Sequence, residues 1–315
     1  MLMIKFLVQP IIARRASLSY TFRAALFLCA LLPFSQSATA QQKSKKSATA
    51  PAATSTAPAQ PALTRTTIRH EVRRFAYGGT LTILGAPAGS ITIEGWSRSE
   101  VDITAEIELH ADAEEDFARL AAINGFVLDE DVNHLSILTT GTHDKALMRR
   151  TAKDFPRRLL GLPWKIDYRI RLPLNTDLEI DAGRGPINLN GVEGAIRINA
   201  LESDATLTFN GGTVSATIGS GTVNLNITAR SWRGAGADIR LASGALIIQL
   251  PANINADINA DILRTGQIEN NIATLLPRER TTPGPRSIKA RAGAGGATLN
   301  FTVGDGTLHL KQTSQ

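Results

Sequence analysis

The sequence contains almost no cysteine. Its one cysteine among 315 residues, Cys29, lies in an apolar run near the N-terminus. The rest of the chain therefore has no disulfide, no thiol nucleophile and no cysteine-ligated metal. The residues before Cys29 lack the small side chains of a lipoprotein processing site, so no lipid anchor is expected. Stability must come from a packed core, and a chain of this length can form one.

The sequence also lacks the common motifs of catalytic and metal sites. It has no G-x-S-x-G elbow and no phosphate-binding Walker loop. A calcium-binding repeat needs an aspartate that recurs at one turn position, and the closest match, Gly234 to Asp238, occurs once. The five histidines show no H-x-x-x-H or H-E-x-x-H spacing: His70, His110, His134, His143 and His309. We therefore predict a chain without an enzymatic site, metal or other cofactor.

The net charge of +6 arises outside the part of the chain predicted to fold. Seven of the 34 basic residues, and none of the 28 acidic ones, precede residue 65. The remainder has 27 basic against 28 acidic residues, which gives a net charge of −1. A protein that binds phosphate backbones should be clearly basic over its folded surface. Nucleic acid is therefore not predicted as a partner.

The N-terminal residues resemble an export signal. A basic stretch ends at Arg23, an apolar run covers residues 24–34, and Ala38-Thr39-Ala40 follows. A basic region, a short apolar region and an A-x-A site are typical of a secretory signal peptide. We predict a signal over residues 1–40 with cleavage near Ala40, and an uncleaved anchor as the alternative. The mature protein would then be extracytoplasmic: periplasmic, on the outer surface or secreted.

The composition changes twice after the signal. Residues 41–64 are mostly Ala, Ser, Thr, Pro and Gln, which predicts a disordered linker. Residues 65–315 are predicted to form one β-repeat domain with a basic insertion at 140–165. In the second half of this domain, two apolar positions separated by one residue recur every nine residues: Leu178/Ile180, Ile187/Leu189, Ile196/Ile198, Ala205/Leu207, Val214/Ala216 and Val223/Leu225.

Alternating strands separated by glycine turns at a fixed step indicate stacked strands. The predicted fold is therefore all-β, a β-solenoid or stacked β-repeat whose rungs follow a nine-residue step. One short helix is expected at Ala113–Ile123, capped by Asp112. Residues 297–310 are expected to form the last two rungs. A β-sandwich is the alternative, because the first 70 residues of the domain are less regular.

Several glycine-and-aliphatic segments resemble the bacterial putative-adhesin family. They are Gly219 to Leu225, Gly304 to Leu310, Ile170 to Pro173, and Gly89 to Trp96 followed by Glu100-Val101. The resemblance spans about residues 75–312. It implies an exported, β-solenoid-like domain and supplies no catalytic residues.

The segment 144–165 is basic, with seven Lys and Arg residues against two aspartates and apolar residues between them. Such a segment can dock on anionic lipid, lipopolysaccharide or acidic glycan. The residues proposed for docking are Arg149, Arg150, Lys153, Arg157, Arg158 and Trp164. A loop that caps one end of the repeat stack is the alternative, and both roles can coexist.

Three functions are compatible with these patterns. The first is a non-catalytic binding or adhesion-type module at the cell envelope, whose partner is an envelope polymer, a glycan or a protein. The second is a carbohydrate-active enzyme of acidic polysaccharides that uses the acidic group Asp177, Glu179 and Asp181 with Arg184. The third is an envelope-associated scaffold or stress-sensing protein. Self-association is also expected, because the ends of a strand stack can pair with another copy.

Overall fold

The structure is a computed structural model that describes residues 63–151, 155–278 and 284–313. The predicted signal peptide and nearly all of the predicted linker lie outside these residues, as does Lys153. The described part is all-β. It contains two α-helices and one 3-10 turn, where the sequence predicted a single helix.

The first half of the domain contains six strands and both helices. In chain order they are β1 (Leu63–Arg74), β2 (Thr80–Ala88), β3 (Ile91–Trp96), β4 (Glu100–Ala111), α1 (Glu114–Ala121), β5 (Gly125–Asp131), β6 (His134–Thr140) and α2 (Lys145–Thr151). The 3-10 turn Arg157–Leu159 follows, and the chain then enters the regular strands.

The second half consists of strands alone. They are β7 (Trp164–Pro173), β8 (Asp177–Arg184), β9 (Ile187–Asn190), β10 (Ala195–Glu202), β11 (Ala205–Phe209), β12 (Gly211–Ile227), β13 (Arg233–Leu250), β14 (Ala256–Asn270), β15 (Leu276–Pro277), β16 (Ser287–Ala292) and β17 (Thr298–Gln312).

The strands pair in two rows. Row A runs in the order β5-β6-β2-β8-β10-β12-β13-β17-β14-β16-β15. Row B runs in the order β1-β4-β7-β3-β9-β11-β12-β13-β17-β14. The long strands β12, β13, β14 and β17 contribute their first part to row A and their second part to row B. One hydrophobic core contains residues from both rows.

The nine-residue pattern is produced by strands that alternate between these rows. Leu178 of β8 pairs with Ile196, and Ile196 pairs with Val214, so row A repeats every 18 residues. Ile187 pairs with Ala205 and Ala205 with Val223 in row B. The expectation that consecutive nine-residue rungs stack on each other is therefore wrong, because hydrogen-bonded neighbours are two steps apart.

The twelve apolar positions of the pattern are confirmed as core residues. Each is at most 2% exposed. Side chains of successive residues point to opposite faces of a strand, so the intervening polar residues occupy the outer faces of the rows. The core is thus set by position along each strand, as the alternation predicted.

The C-terminal strand does not end the stack. β17 pairs with β13 on one side and with β14 on the other in both rows, so it lies between two strands that precede it in sequence. The prediction that residues 297–310 form the last two rungs is therefore wrong. A repeat pattern reports which side chains face inward, but it carries no information on the order in which strands are inserted.

The corner between the two rows carries aligned glycines. Gly221, Gly244, Gly306 and Gly266 are cross-strand neighbours with φ between 128° and 138°. Residues with a Cβ atom rarely adopt this backbone conformation, so these positions favour glycine. A Cβ atom on Gly244 would also overlap the carbonyl oxygen of Gly221.

Two arginines of β1 pack against aromatic side chains of β5 and α1 at the end of the sheet where the chain begins. The guanidinium of Arg69 donates to the carbonyl oxygen of Phe126 on β5 at 2.7 Å and lies 4.2 Å from the centre of the Phe126 ring. Arg65 binds Glu114 and covers the ring of Phe117. Charged side chains that point inward at an edge strand hinder pairing with another chain.

Candidate binding surfaces

The basic segment connects β6 of row A to β7 of row B. The helix α2 within it was not predicted from the sequence, although Asp144 directly before it is a residue type that often caps helices. In the structure, Asp144 accepts hydrogen bonds from the backbone N–H groups of Ala146 and Leu147 at 2.8 and 3.0 Å. These bonds begin the helix, and they hold the pKa of the Asp144 carboxyl below its usual range.

Arg158 is committed to an ion pair within the fold. Its guanidinium binds both carboxylate oxygens of Asp116 on α1, with Nη2 to Oδ1 at 2.8 Å. The Asp116 side chain is fully buried, and the hydrogen bonds from Arg158 lower the pKa of its carboxyl. Removing Arg158 would leave a buried charge without its partner, which is costly. Arg158 is therefore a structural residue, unlike the other arginines of the segment.

Apolar side chains fix the same segment to the core. Leu159 is 1% exposed, and Phe155, Leu162 and Trp164 pack against the core from the surface. The Trp164 ring lies 5.4 Å from the ring of His143. The predicted helix α1 contributes Phe117 and Leu120 to this core, but it begins after Ala113, and no side chain caps it; the predicted cap at Asp112 is wrong.

The remaining arginines of the segment face solvent. Arg149, Arg150 and Arg157 are exposed, and none of them forms an ion pair with a residue in the described ranges. We call these three arginines and exposed Lys145 the basic corner. The structure therefore divides the predicted docking set: Arg158 is exposed but bound to Asp116, Trp164 is half-buried, and three arginines have no ion-pair partner in the described ranges.

Two members of the predicted acidic group, Asp177 and Arg184, are engaged in bonds outside it. Asp177 accepts a hydrogen bond from the backbone N–H of Ala195 at 2.7 Å, and Asp204 accepts the same bond from Thr222 at 2.8 Å. In both cases the contact ties a strand to its hydrogen-bonded neighbour 18 residues later, so this bond of Asp177 is structural. Arg184 binds Glu202 at 3.1 Å instead of joining the acidic group. Glu179 and Asp181 lie on the exposed outer face of row A.

The histidines are dispersed over both rows. His70 contacts Asp102 at 2.8 Å, His110 contacts Glu108 at 2.9 Å, and His309 contacts Glu269 at 2.9 Å. Among the residues that the structure describes, no group of three or more His, Cys, Asp or Glu could hold a metal ion. No helix within these residues is long and apolar enough to span a membrane.

Comparison with known proteins yields distant structural neighbours. A putative cell adhesion protein from Clostridium sporogenes is 13% identical, with a TM-score of 0.40, and the match covers 78% of this chain and 100% of that one. A putative adhesin from Bacteroides fragilis is 11% identical, with a TM-score of 0.29, and covers 78% and 97%. A putative adhesin from Parabacteroides merdae is 10% identical, with a TM-score of 0.22, and covers 77% and 95%.

Sequence comparisons add nothing to this result: no protein-family model and no curated protein matches the chain.

Proposed function

We propose that this protein is an exported, non-catalytic binding module of the adhesion type that acts at the cell envelope. In this proposal, each pair of strands, one in row A and one in row B, forms one coil of a β-solenoid. The basic corner docks the module on an anionic envelope polymer or lipid surface. The supporting observation is that Arg149, Arg150 and Arg157 are exposed and unpaired within the described ranges on a segment anchored to the core.

Anchoring of the segment to the core lowers the entropy cost of binding at the basic corner. A flexible chain must lose conformational entropy when it binds, and an ordered one loses less. The Arg158–Asp116 ion pair and the buried Leu159 already fix the segment. Each arginine near an anionic membrane contributes about 1 kcal/mol to the free energy of binding, so three arginines contribute about 3 kcal/mol.

The test measures binding of the purified protein to vesicles with and without anionic lipid, and to lipopolysaccharide, over a range of salt concentrations. The variant carries Arg149→Glu, Arg150→Glu and Arg157→Glu. We expect the wild type to bind anionic surfaces more weakly as salt increases, because salt screens exposed charges. The variant should lose at least about 100-fold in affinity, which corresponds to roughly 3 kcal/mol.

A matched control carries Arg197→Glu, Lys289→Glu and Lys311→Glu, which make the same change in net charge on exposed strand positions elsewhere. It should retain most of the binding. Arg158→Ala should instead lower the melting temperature, because it leaves Asp116 unpaired. Equal losses in both triple variants would show a general charge effect and would contradict a dedicated docking surface, as would wild-type binding that is absent or independent of salt.

A further inference from the structure

A shallow groove crosses the outer face of row B, away from the basic corner. Two adjoining depressions there share Thr104 of β4 and Arg169 of β7. Arg169 lies opposite Thr104 on one side and opposite Thr92 of β3 on the other. The two threonines are short, so the longer side chains around them form the walls.

Half of the charged groups in the groove are engaged with neighbours. Asp102 binds Arg171 and lies 2.8 Å from Nε2 of His70. Asp167 accepts hydrogen bonds from the backbone N–H and the hydroxyl of Ser90 at 2.6 and 2.7 Å. Partial burial opposes ionisation of both aspartates, but these bonds outweigh it, so the pKa of each carboxyl is lowered. Both are fixed, ionised parts of the groove walls.

The other half has no partner within the fold. Arg169, Glu94 and Glu106 are exposed, and none forms an ion pair or a side-chain hydrogen bond with a residue that the structure describes. Glu106 lies opposite Asp167 and Glu94 opposite Arg171, so each carboxylate is diagonal to Arg169, one on either side. Diagonal neighbours in a sheet are about 7–8 Å apart, within reach of long side chains.

An apolar side chain lies at the rim next to these polar groups. Ile68 of the edge strand β1 is 66% exposed and lines the same depression as Arg169. The groove thus combines one unpaired guanidinium group that donates hydrogen bonds, two unpaired carboxylates that accept them, and an apolar side chain on the same sheet. Binding sites for small polar molecules use such a combination of a few placed polar groups and apolar surface.

We propose that this groove binds a neutral, hydroxyl-rich glycan. Glu94 and Glu106 accept hydrogen bonds from sugar hydroxyls, Arg169 donates to a sugar oxygen, and Ile68 packs against the C–H face of a ring. Two free carboxylates beside one arginine disfavour a polyanion, since like charges repel. The ligand class therefore differs from that of the basic corner, and the groove is a second binding site beyond the proposed function.

The test uses the complete protein against immobilised neutral, amino-substituted and anionic oligosaccharides, followed by titration calorimetry with a ligand that binds. The variants are Arg169→Ser and Glu106→Gln. The matched controls are Arg197→Ser and Glu115→Gln, which change the same residue types at exposed positions outside the groove. We expect binding to neutral oligosaccharides, a loss of roughly tenfold or more in each groove variant, and no loss in the controls.

The outcomes separate this site from the basic corner. The triple variant at Arg149, Arg150 and Arg157 should keep its neutral-glycan binding, whatever it does on anionic vesicles. The proposal is overturned if the wild type binds no neutral oligosaccharide, or if groove and control variants lose affinity equally. Binding of anionic glycans alone, lost in Arg169→Ser but kept in Glu106→Gln, would identify a simple anion site and would also overturn it.

Discussion

Leu225→Asp and Ile187→Asp are each expected to unfold the domain or drive it into aggregates. Both side chains are at most 1% exposed and lie on the inward face of row B. The change removes about 2–3 kcal/mol of apolar burial and adds the cost of burying a carboxyl group without partners. A total of about 5 kcal/mol or more is comparable with the whole stability of many domains.

The control for this prediction is the adjacent outward position. Asn188→Asp places the same carboxylate one residue from Ile187, but on the exposed face. Its effect should stay within about 0.5 kcal/mol, as for most surface substitutions. Thermal melts and size-exclusion profiles of the three variants provide the measurement. Similar melting temperatures for Ile187→Asp and Asn188→Asp would show that the inward and outward assignments are incorrect.

Gly244→Ala and Gly306→Ala should each lower the melting temperature by roughly 2–12 °C or more. Their φ values of 136° and 138° lie in a region that costs a residue with a side chain about 1–3 kcal/mol. Each added Cβ would also overlap a backbone carbonyl oxygen of the neighbouring strand, which cannot move without breaking the ladder. For a domain of this size, 1 kcal/mol corresponds to about 2–4 °C.

Gly161→Ala is the matched control for the corner glycines. A Cβ at this position would meet nothing within 4 Å, and Gly161 does not have a positive φ. Its melting temperature should therefore stay close to that of the wild type. Equal tolerance of alanine at positions 161, 244 and 306 would mean that the corner does not approach its neighbours as closely as described.

The inward face of the fold could be predicted from sequence because its signal is local. A strand with a period of two shows its buried face in a few residues, as Val223 and Leu225 do. The pairing of strands could not be predicted, because it is a property of distant segments. Nothing in residues 298–312 indicates that they enter between β13 and β14.

The sequence indicated that the candidate site is basic, but it did not indicate which arginines bind within the fold and which face solvent. A run of arginines indicates a basic surface, yet Arg157 and Arg158 look alike in sequence. Only the packing of α1 reveals that Arg158 neutralises the buried Asp116, whereas Arg157 faces solvent. The groove at Arg169 gave no sequence signal, because its residues come from four separate strands, β1, β3, β4 and β7.

The 18-residue register that underlies this account can be tested directly by disulfide formation. With Cys29 replaced by Ser, Asn188→Cys and Thr206→Cys would introduce two thiols at cross-strand partners in row B. Adjacent strands are about 4.8 Å apart, which suits the Cα separation of a disulfide. We expect rapid crosslinking of this pair and none between Arg197→Cys and Thr206→Cys, which lie nine residues apart in different rows. Crosslinking of the nine-residue pair, without crosslinking of the 18-residue pair, would contradict the two-row fold.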